Sequence, residues 1–221
     1  MSFLQLDHLP HKDLRRDIIR TALRMNELGI NQGKSGNVSA RTESGFLVTP
    51  TGIAYDETRA EQIVAMKLDG THEGSTLPSS EWRFHRDIYA ARADVNAIVH
   101  THATFATTLA CMDRGIPPFH YMVAAAGGID IRCAAYATFG TQELSDCVIE
   151  ALAERKACLM SHHGMIVCGE DLAKALALGV EVESLARMYW QTLQIGEPAL
   201  LSEAEMNVVI AKFRTYGQQS L

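Results

Sequence analysis

No stretch of this 221-residue chain approaches the roughly 20 apolar residues that span a bilayer, and no run of lysine and arginine offers itself to a nucleic acid or an anionic membrane. The 20 Lys and Arg against 26 Asp and Glu leave a formal net charge of −6, so any anionic ligand must be held locally. CxxC spacing is missing too. The five cysteines, Cys111, Cys133, Cys147, Cys158 and Cys168, are odd in number and sit in apolar segments, which predicts core thiols in place of a disulfide framework. The opening MSFLQLDHLPHKDLRRD lacks the continuous apolar stretch of a signal peptide. Together these absences predict a cytoplasmic protein with neither a nucleic-acid nor a membrane partner. Repeats and low-complexity linkers are also absent, so residues 1–221 are expected to form one domain.

What is present is an alternation of two periods. Leu14, Ile18, Ala22, Met25 and Leu28 recur at helical spacing up to Gly29, predicting a helix from Asp13 to Leu28. NVSARTESGFLVTP then alternates about the turn TESG as a hairpin would, and IVAMKLDGTHEG offers a second strand pair about Asp69-Gly70. A helical run with Phe84, Ile88 and Ala91 on one side follows Pro78 and Ser79. NAIVHTH reads as a strand leading into a helix through Phe105, Leu109 and Met112. KACLMSHHGMIVCG suggests two short strands, succeeded by a helix from about Asp171 to Ile195 and one that Ser202 and Glu205 open as a capping box. The expected fold is α/β, a three-layer α-β-α arrangement with a central, mostly antiparallel sheet.

His100 and His102 end the apolar run NAIVHTHATF, and residues two apart on a strand share a face, about 7 Å apart at Cα. That spacing suits two ligands on one metal, although a core histidine beside an exposed one is the alternative. SHHG supplies a third imidazole: on a strand His162 and His163 face opposite ways, so only one can join, and spacing does not choose between them. Three histidines with an open position is the arrangement of a catalytic Zn²⁺ site. In LPSSEWRFH, Ser79 or Ser80 is placed to cap a helix whose free N–H groups suit an anion, with Glu81 next in line. NQGKSGNVS is no nucleotide P-loop, because three residues separate Gly29 from Gly33 where the motif needs four, and the segment leaves a helix for a strand. Its glycine-rich turn with Lys34, Ser35 and Asn37 can still wrap one phosphate, as can TPTG at Thr49 to Gly52.

In order and spacing, NQGKSGNVS, TPTGI, LPSSEWRFH, VHTHA, HYMVAAAGG, YATFGT, HHG and FRTYG resemble the class II aldolase family over about Arg15 to Gly217. Carried over residue by residue, the resemblance implies His100, His102 and His163 as Zn²⁺ ligands, with Glu81 a fourth ligand that leaves when substrate chelates the metal. It implies a sugar-phosphate site at Asn37, Thr51, Gly52, Ser79 and Ser80, and a homotetramer with active sites at its interfaces. Tyr121 corresponds to a tyrosine of the adjacent subunit that handles the proton on the C4 oxygen. Phe139 and Tyr216 correspond to positions near the aldehyde end.

The implied reaction is reversible cleavage of a ketose 1-phosphate, L-fuculose 1-phosphate or a related deoxyketose 1-phosphate, to dihydroxyacetone phosphate and a small aldehyde such as lactaldehyde. Zn²⁺ on the O2 and O3 oxygens would stabilise the resulting enediolate as a Lewis acid, and Glu81, its basicity raised in a partly dry pocket, would move the C3 proton. Lys34, which stands where the family's fuculose branch has a small hydroxyl residue, is a candidate phosphate contact; Arg132 and Ala135 replace prolines of that pattern. The alternatives are a sugar-phosphate dehydratase or 4-epimerase of the same family and a non-catalytic metal or sugar-phosphate binder. Tyr121 speaks against the epimerase, for which the resemblance would require an acidic residue there.

Overall fold

A computed structural model describes residues 9–213. Helix α1 (Lys12–Glu27) buries Ile18, Ala22 and Met25, and Leu28 closes it by donating its N–H to the Arg24 carbonyl. The TESG hairpin forms as β1 (Asn37–Thr42) against β2 (Gly45–Val48), and β2 pairs in turn with β3 (Val64–Met66). Beyond β3 the expected second strand pair shrinks to a single bridge from Met66 to His72. The returning arm, THEGST, has no apolar side chain to bury, and residues 71–75 lie exposed.

Helix α2 (Trp82–Ala91) precedes β4 (Ala97–Thr101), which runs into α3 (Thr104–Ala110). The helix predicted through Met112 stops sooner: Asp113 adopts a left-handed φ of 52° and accepts a hydrogen bond from Ser161, and Met112 stands 74% exposed. After β5 (Cys133–Ala134) come α4 (Gln142–Ala151), the paired strands β6 (Ala157–Met160) and β7 (Gly164–Gly169), the long α5 (Leu172–Ile195) and α6 (Glu203–Phe213). Ser202 accepts the N–H of Glu205 at 3.2 Å, as its capping position requires.

The strands form a sheet in the order β3-β2-β1-β4-β7-β6-β5, antiparallel throughout except for the parallel β5–β6 pair. Period-two alternation divides its side chains between two cores. Val38, Ala97, Val99, Leu159 and Val167 pack on one face with Ile18 of α1, Leu109 of α3, Val182 of α5 and Met206 of α6. Phe46, Val48, Ile98, Cys158 and Ile166 pack on the other with Phe84 and Ile88 of α2 and Leu144 and Val148 of α4. This is the expected three-layer architecture. Cys158 and Cys168 are buried thiols, whereas Cys111, just past α3, is exposed and departs from the expectation of a core residue. Among the described residues no helix is long and apolar enough to cross a membrane.

Candidate metal centre

At one end of the sheet the central strands deliver three imidazoles to a single point. His100 lies on β4 opposite Asn37 of β1 on one side and Ile166 of β7 on the other; His102 follows just beyond the strand end. His163 comes from the β6–β7 turn, where His162 takes a left-handed φ of 52°. That turn directs His163 to the cluster and leaves His162 at the rim, its ring centroid 6.0 Å from that of Tyr136. Gly164 permits the approach, since a Cβ there would stand 2.4 Å from the Thr101 carbonyl and 3.0 Å from the His102 ring. The centroids of His100, His102 and His163 form a near-equilateral triangle with sides of 5.0, 4.9 and 5.0 Å.

Glu81 completes the group. It occupies the N-cap position of α2 without capping it, because its carboxylate turns to the histidines. Ser79, expected as a cap, instead accepts the N–H of Glu81 at 3.3 Å. Glu81 Oε2 lies 3.2 Å from His100 Nε2 and accepts a hydrogen bond from Asn37 Nδ2 at 2.9 Å; Oε1 lies 3.1 Å from His163 Nε2. Burial pushes this carboxyl up, but beside protonated His100 and His163 rings the charge attraction outweighs burial and holds it well below its ordinary value. The arrangement therefore keeps Glu81 an anion, not the base of raised strength that a dry pocket alone suggests. Rotation away from the imidazoles would leave burial dominant and raise its basicity. His102 is pushed down to about 4, first by burial and then by the charges of His100 and His163, against the opposing pull of Glu81.

The donor set fits a divalent metal. His100 Nδ1 lies 2.9 Å from the Met165 carbonyl and donates its proton there, so in the neutral ring Nε2 presents a bare lone pair. That lone pair faces His102 Nε2 at 3.2 Å, and the buried Glu81 Oε1 has no hydrogen-bond partner. His102 Nε2 meets that lone pair as an N–H donor in the metal-free rings, or as a second lone pair when a cation lies between them. A tetrahedral Zn²⁺ with Zn–N bonds of about 2.0–2.1 Å sets its ligand atoms about 3.3 Å apart, close to these separations. The Met165 carbonyl fixes the tautomer of His100, as metal-site histidines require.

A cleft of about 350 Å³ opens beside the cluster, lined by Ser80, Glu81, His102, Phe139, His163 and, at its rim, Tyr136 and His162. The expected phosphate residues lie on neighbouring loops. Thr49 O accepts the N–H of Ser79 at 3.0 Å and Leu77 O that of Thr51 at 3.1 Å, tying TPTG to LPSS. Thr51 and Gly52 are exposed, and Lys34 reaches over to donate to the Gly52 carbonyl at 2.7 Å. Asn37 is buried, with one amide hydrogen committed to Glu81. Tyr121 opens a short 3₁₀ turn, is 51% exposed, and is not part of the cleft wall; Tyr216 lies outside the described residues. Sequence reasoning did not single out Ser39, His85 and Tyr89, which form a buried polar chain behind Glu81. The one signal was spacing, His85 being four residues after Glu81 and so one helical turn on.

Converging imidazoles and a buried carboxylate at the edge of an α/β/α sandwich, open to a small cleft, form a cluster able to hold a metal ion beside room for a small molecule. Residues 16–190 match the family described as Class II Aldolase and Adducin N-terminal domain, and the chain belongs to that family; with relatives of 53% identity that are aldolases, it is an aldehyde-lyase. It is 53% identical to the 5-methylthioribulose-1-phosphate/5-deoxyribulose-1-phosphate aldolase of Rhodospirillum rubrum over 94% of each chain. It is also 53% identical to the L-fuculose phosphate aldolase of Escherichia coli (strain K12), over 92% of this chain and 95% of that one. A solved L-fuculose 1-phosphate aldolase superposes with a TM-score of 0.90 at 37% identity, covering 94% of this chain and 99% of its own. The family is generally metal-dependent, and the His100, His102 and His163 cluster is able to hold a metal ion.

Proposed function

We propose that this protein is a zinc-dependent aldolase, a single domain over residues 1–221 that acts in the cytoplasm. It reversibly cleaves a ketose 1-phosphate with a deoxygenated or thioether-capped end to dihydroxyacetone phosphate and a small aldehyde. The observation that carries this reading is the buried Glu81 anion set among three converging imidazoles beside an open cleft. L-fuculose 1-phosphate and 5-deoxypentulose 1-phosphates are the leading substrates, in keeping with the two relatives of equal identity.

His100, His102, His163 and Glu81 would hold Zn²⁺, which when bound supplies a Lewis acid for the substrate's carbonyl and neighbouring hydroxyl oxygens. The chain's own side chains do the rest. Thr51, Gly52, Ser79 and Ser80 take the phosphate with the second amide hydrogen of Asn37, and Lys34 lies one loop away to add charge. Glu81, free of the imidazoles, moves the C3 proton. Tyr121 of an adjacent subunit in a homotetramer handles the proton on the C4 oxygen, a role in keeping with its exposure and its place outside the cleft wall of its own chain. Phe139 of the cleft wall is the proposed contact at the aldehyde end, and Tyr216, outside the described residues, is a further candidate by its match to the family position.

Purified protein should be incubated with L-fuculose 1-phosphate, 5-deoxyribulose 1-phosphate and 5-methylthioribulose 1-phosphate, with dihydroxyacetone phosphate detected by a coupled reductase. Release from at least one is expected. The C3 proton of dihydroxyacetone phosphate should exchange with D₂O without aldehyde. Glu81→Gln should abolish exchange at full metal content, and Tyr121→Phe should retain it while cleavage falls about 10²–10⁴-fold. Neither release nor exchange in the wild type would replace this reading with a dehydratase or a non-catalytic binder.

A further inference from the structure

Behind Glu81 runs an unbroken chain of four hydrogen bonds. Tyr89 OH lies 2.8 Å from Ser39 Oγ, Ser39 Oγ 2.7 Å from His85 Nδ1, His85 Nε2 2.5 Å from Asn37 Oδ1, and Asn37 Nδ2 2.9 Å from Glu81 Oε2. Its members are buried: Ser39 and His85 are 0% exposed, Tyr89 2%, Asn37 3% and Glu81 5%. They come from β1 and α2, so the sheet–helix contact itself assembles the chain.

The direction of every bond follows from its carboxylate end. Glu81 as an anion only accepts, so the Asn37 amide must present Nδ2–H to it and Oδ1 to His85. His85 must then be protonated at Nε2, leaving Nδ1 to accept from the Ser39 hydroxyl, which in turn accepts from Tyr89. A charged imidazole would break this alternation, and burial keeps the ring neutral by pushing it down to about 3. All four dipoles thus point their positive ends towards Glu81, and in a buried chain each bond polarises the next.

We propose that His85, set by Ser39 and Tyr89, is a positioning residue: it locks the Asn37 amide in the one orientation that offers Glu81 an N–H, and so fixes the carboxylate between His100 and His163. An Asn37 amide turned over would put its oxygen against the carboxylate and expel it from that place. His85 is not part of the cleft wall, and its hydrogen bond towards the centre runs through Asn37. The inference rests on the proposed aldolase reading in assigning Glu81 a part in turnover. A network that served folding only would lower stability yet leave kcat of the folded enzyme untouched.

The test compares zinc-loaded wild type, His85→Leu, His85→Gln and Ser39→Ala by kcat, KM and metal content on whichever ketose 1-phosphate the wild type cleaves. His85→Leu should lower kcat about 10–100-fold at full metal content with KM little changed, the range for lost support behind a metal site. His85→Gln retains an N–H that can reach Asn37 Oδ1 and should recover most of the loss; Ser39→Ala should fall in the same direction as His85→Leu. A ¹H–¹⁵N spectrum of the wild type should show His85 protonated at Nε2 with Nδ1 bare. If His85→Leu does not fold, Ser39→Ala and the spectrum decide. Wild-type kcat in the metal-replete variants, an effect confined to KM, or an Nδ1-protonated His85 overturns the inference. A wild type that cleaves no ketose 1-phosphate overturns the functional reading, whereas an active wild type with unimpaired variants overturns this inference alone.

Discussion

His100 Nε2 and His102 Nε2 stand 3.2 Å apart, and the first of these nitrogens carries no proton in the neutral ring because the Met165 carbonyl takes the proton of Nδ1. Without a metal the contact needs an N–H from His102, whereas a cation shared between the two nitrogens satisfies both lone pairs at once. One Zn²⁺ per chain is therefore expected, with turnover lost on exhaustive chelation and restored by zinc. At 1,000 times Kd the metal should add about 4 kcal/mol of folding stability. Full aldolase activity in verified metal-free protein would contradict the metal assignment.

Gly164 lets the β6–β7 turn lie against His102, and a methyl group there meets the Thr101 backbone carbonyl at 2.4 Å. Gly164→Ala should push the turn away, destabilising the protein by about 1–3 kcal/mol and weakening zinc retention about 10–100-fold. Zinc titration of the demetallated variant, beside urea denaturation, measures both effects. Unchanged zinc affinity would show that the close approach does not shape the site.

His85 is pushed down to about 3 by burial and the charge of His100, against a smaller opposing effect of Glu81; its ordinary value is 6.5. Between those values the unfolded chain binds the proton that the folded chain refuses, so stability falls as pH drops from about 6.5 towards 3 and is level above. Demetallated wild type should lose about 2 kcal/mol more than His85→Gln between pH 7 and pH 5, at 1.36 kcal/mol per pH unit below 6.5. Parallel pH profiles for the two proteins in urea denaturation would refute the buried neutral His85.

Tyr121 is 51% exposed and outside the cleft wall, and its proposed service to a neighbour's site is open to a subunit-mixing experiment. Mixing inactive His102→Ala and Tyr121→Phe subunits should restore roughly a quarter of wild-type activity when equal numbers exchange at random across a head-to-tail interface. No recovery after verified exchange would place each active site within one chain.

The local signals in the sequence were sufficient for the first and last helices, the central strands and half of the centre, but not for β5 or α4. Period-two runs such as AIVHT and GMIVCG determined which side chains face each helical layer, and the same alternation brought His100 and His102 forward as a pair. A long helix to Ile195 and a Ser202 cap were readable because propensity, pattern and capping agree there. Spacing left His162 and His163 open and the family resemblance chose His163, but the physical reason belonged to the tertiary structure, because it turns on one left-handed residue in a turn that strand alternation does not describe. So did the bond from Asn37 to Glu81, 44 residues apart and joined only when α2 packs on β1. His85 and Tyr89 read as ordinary helix positions until that packing buried them, and burial then required each polar atom to find a partner. Short-range pattern is written in neighbouring residues and can be read from them; the orientation of a buried amide or a metal-facing lone pair depends on groups that only the folded chain brings within 3 Å or so.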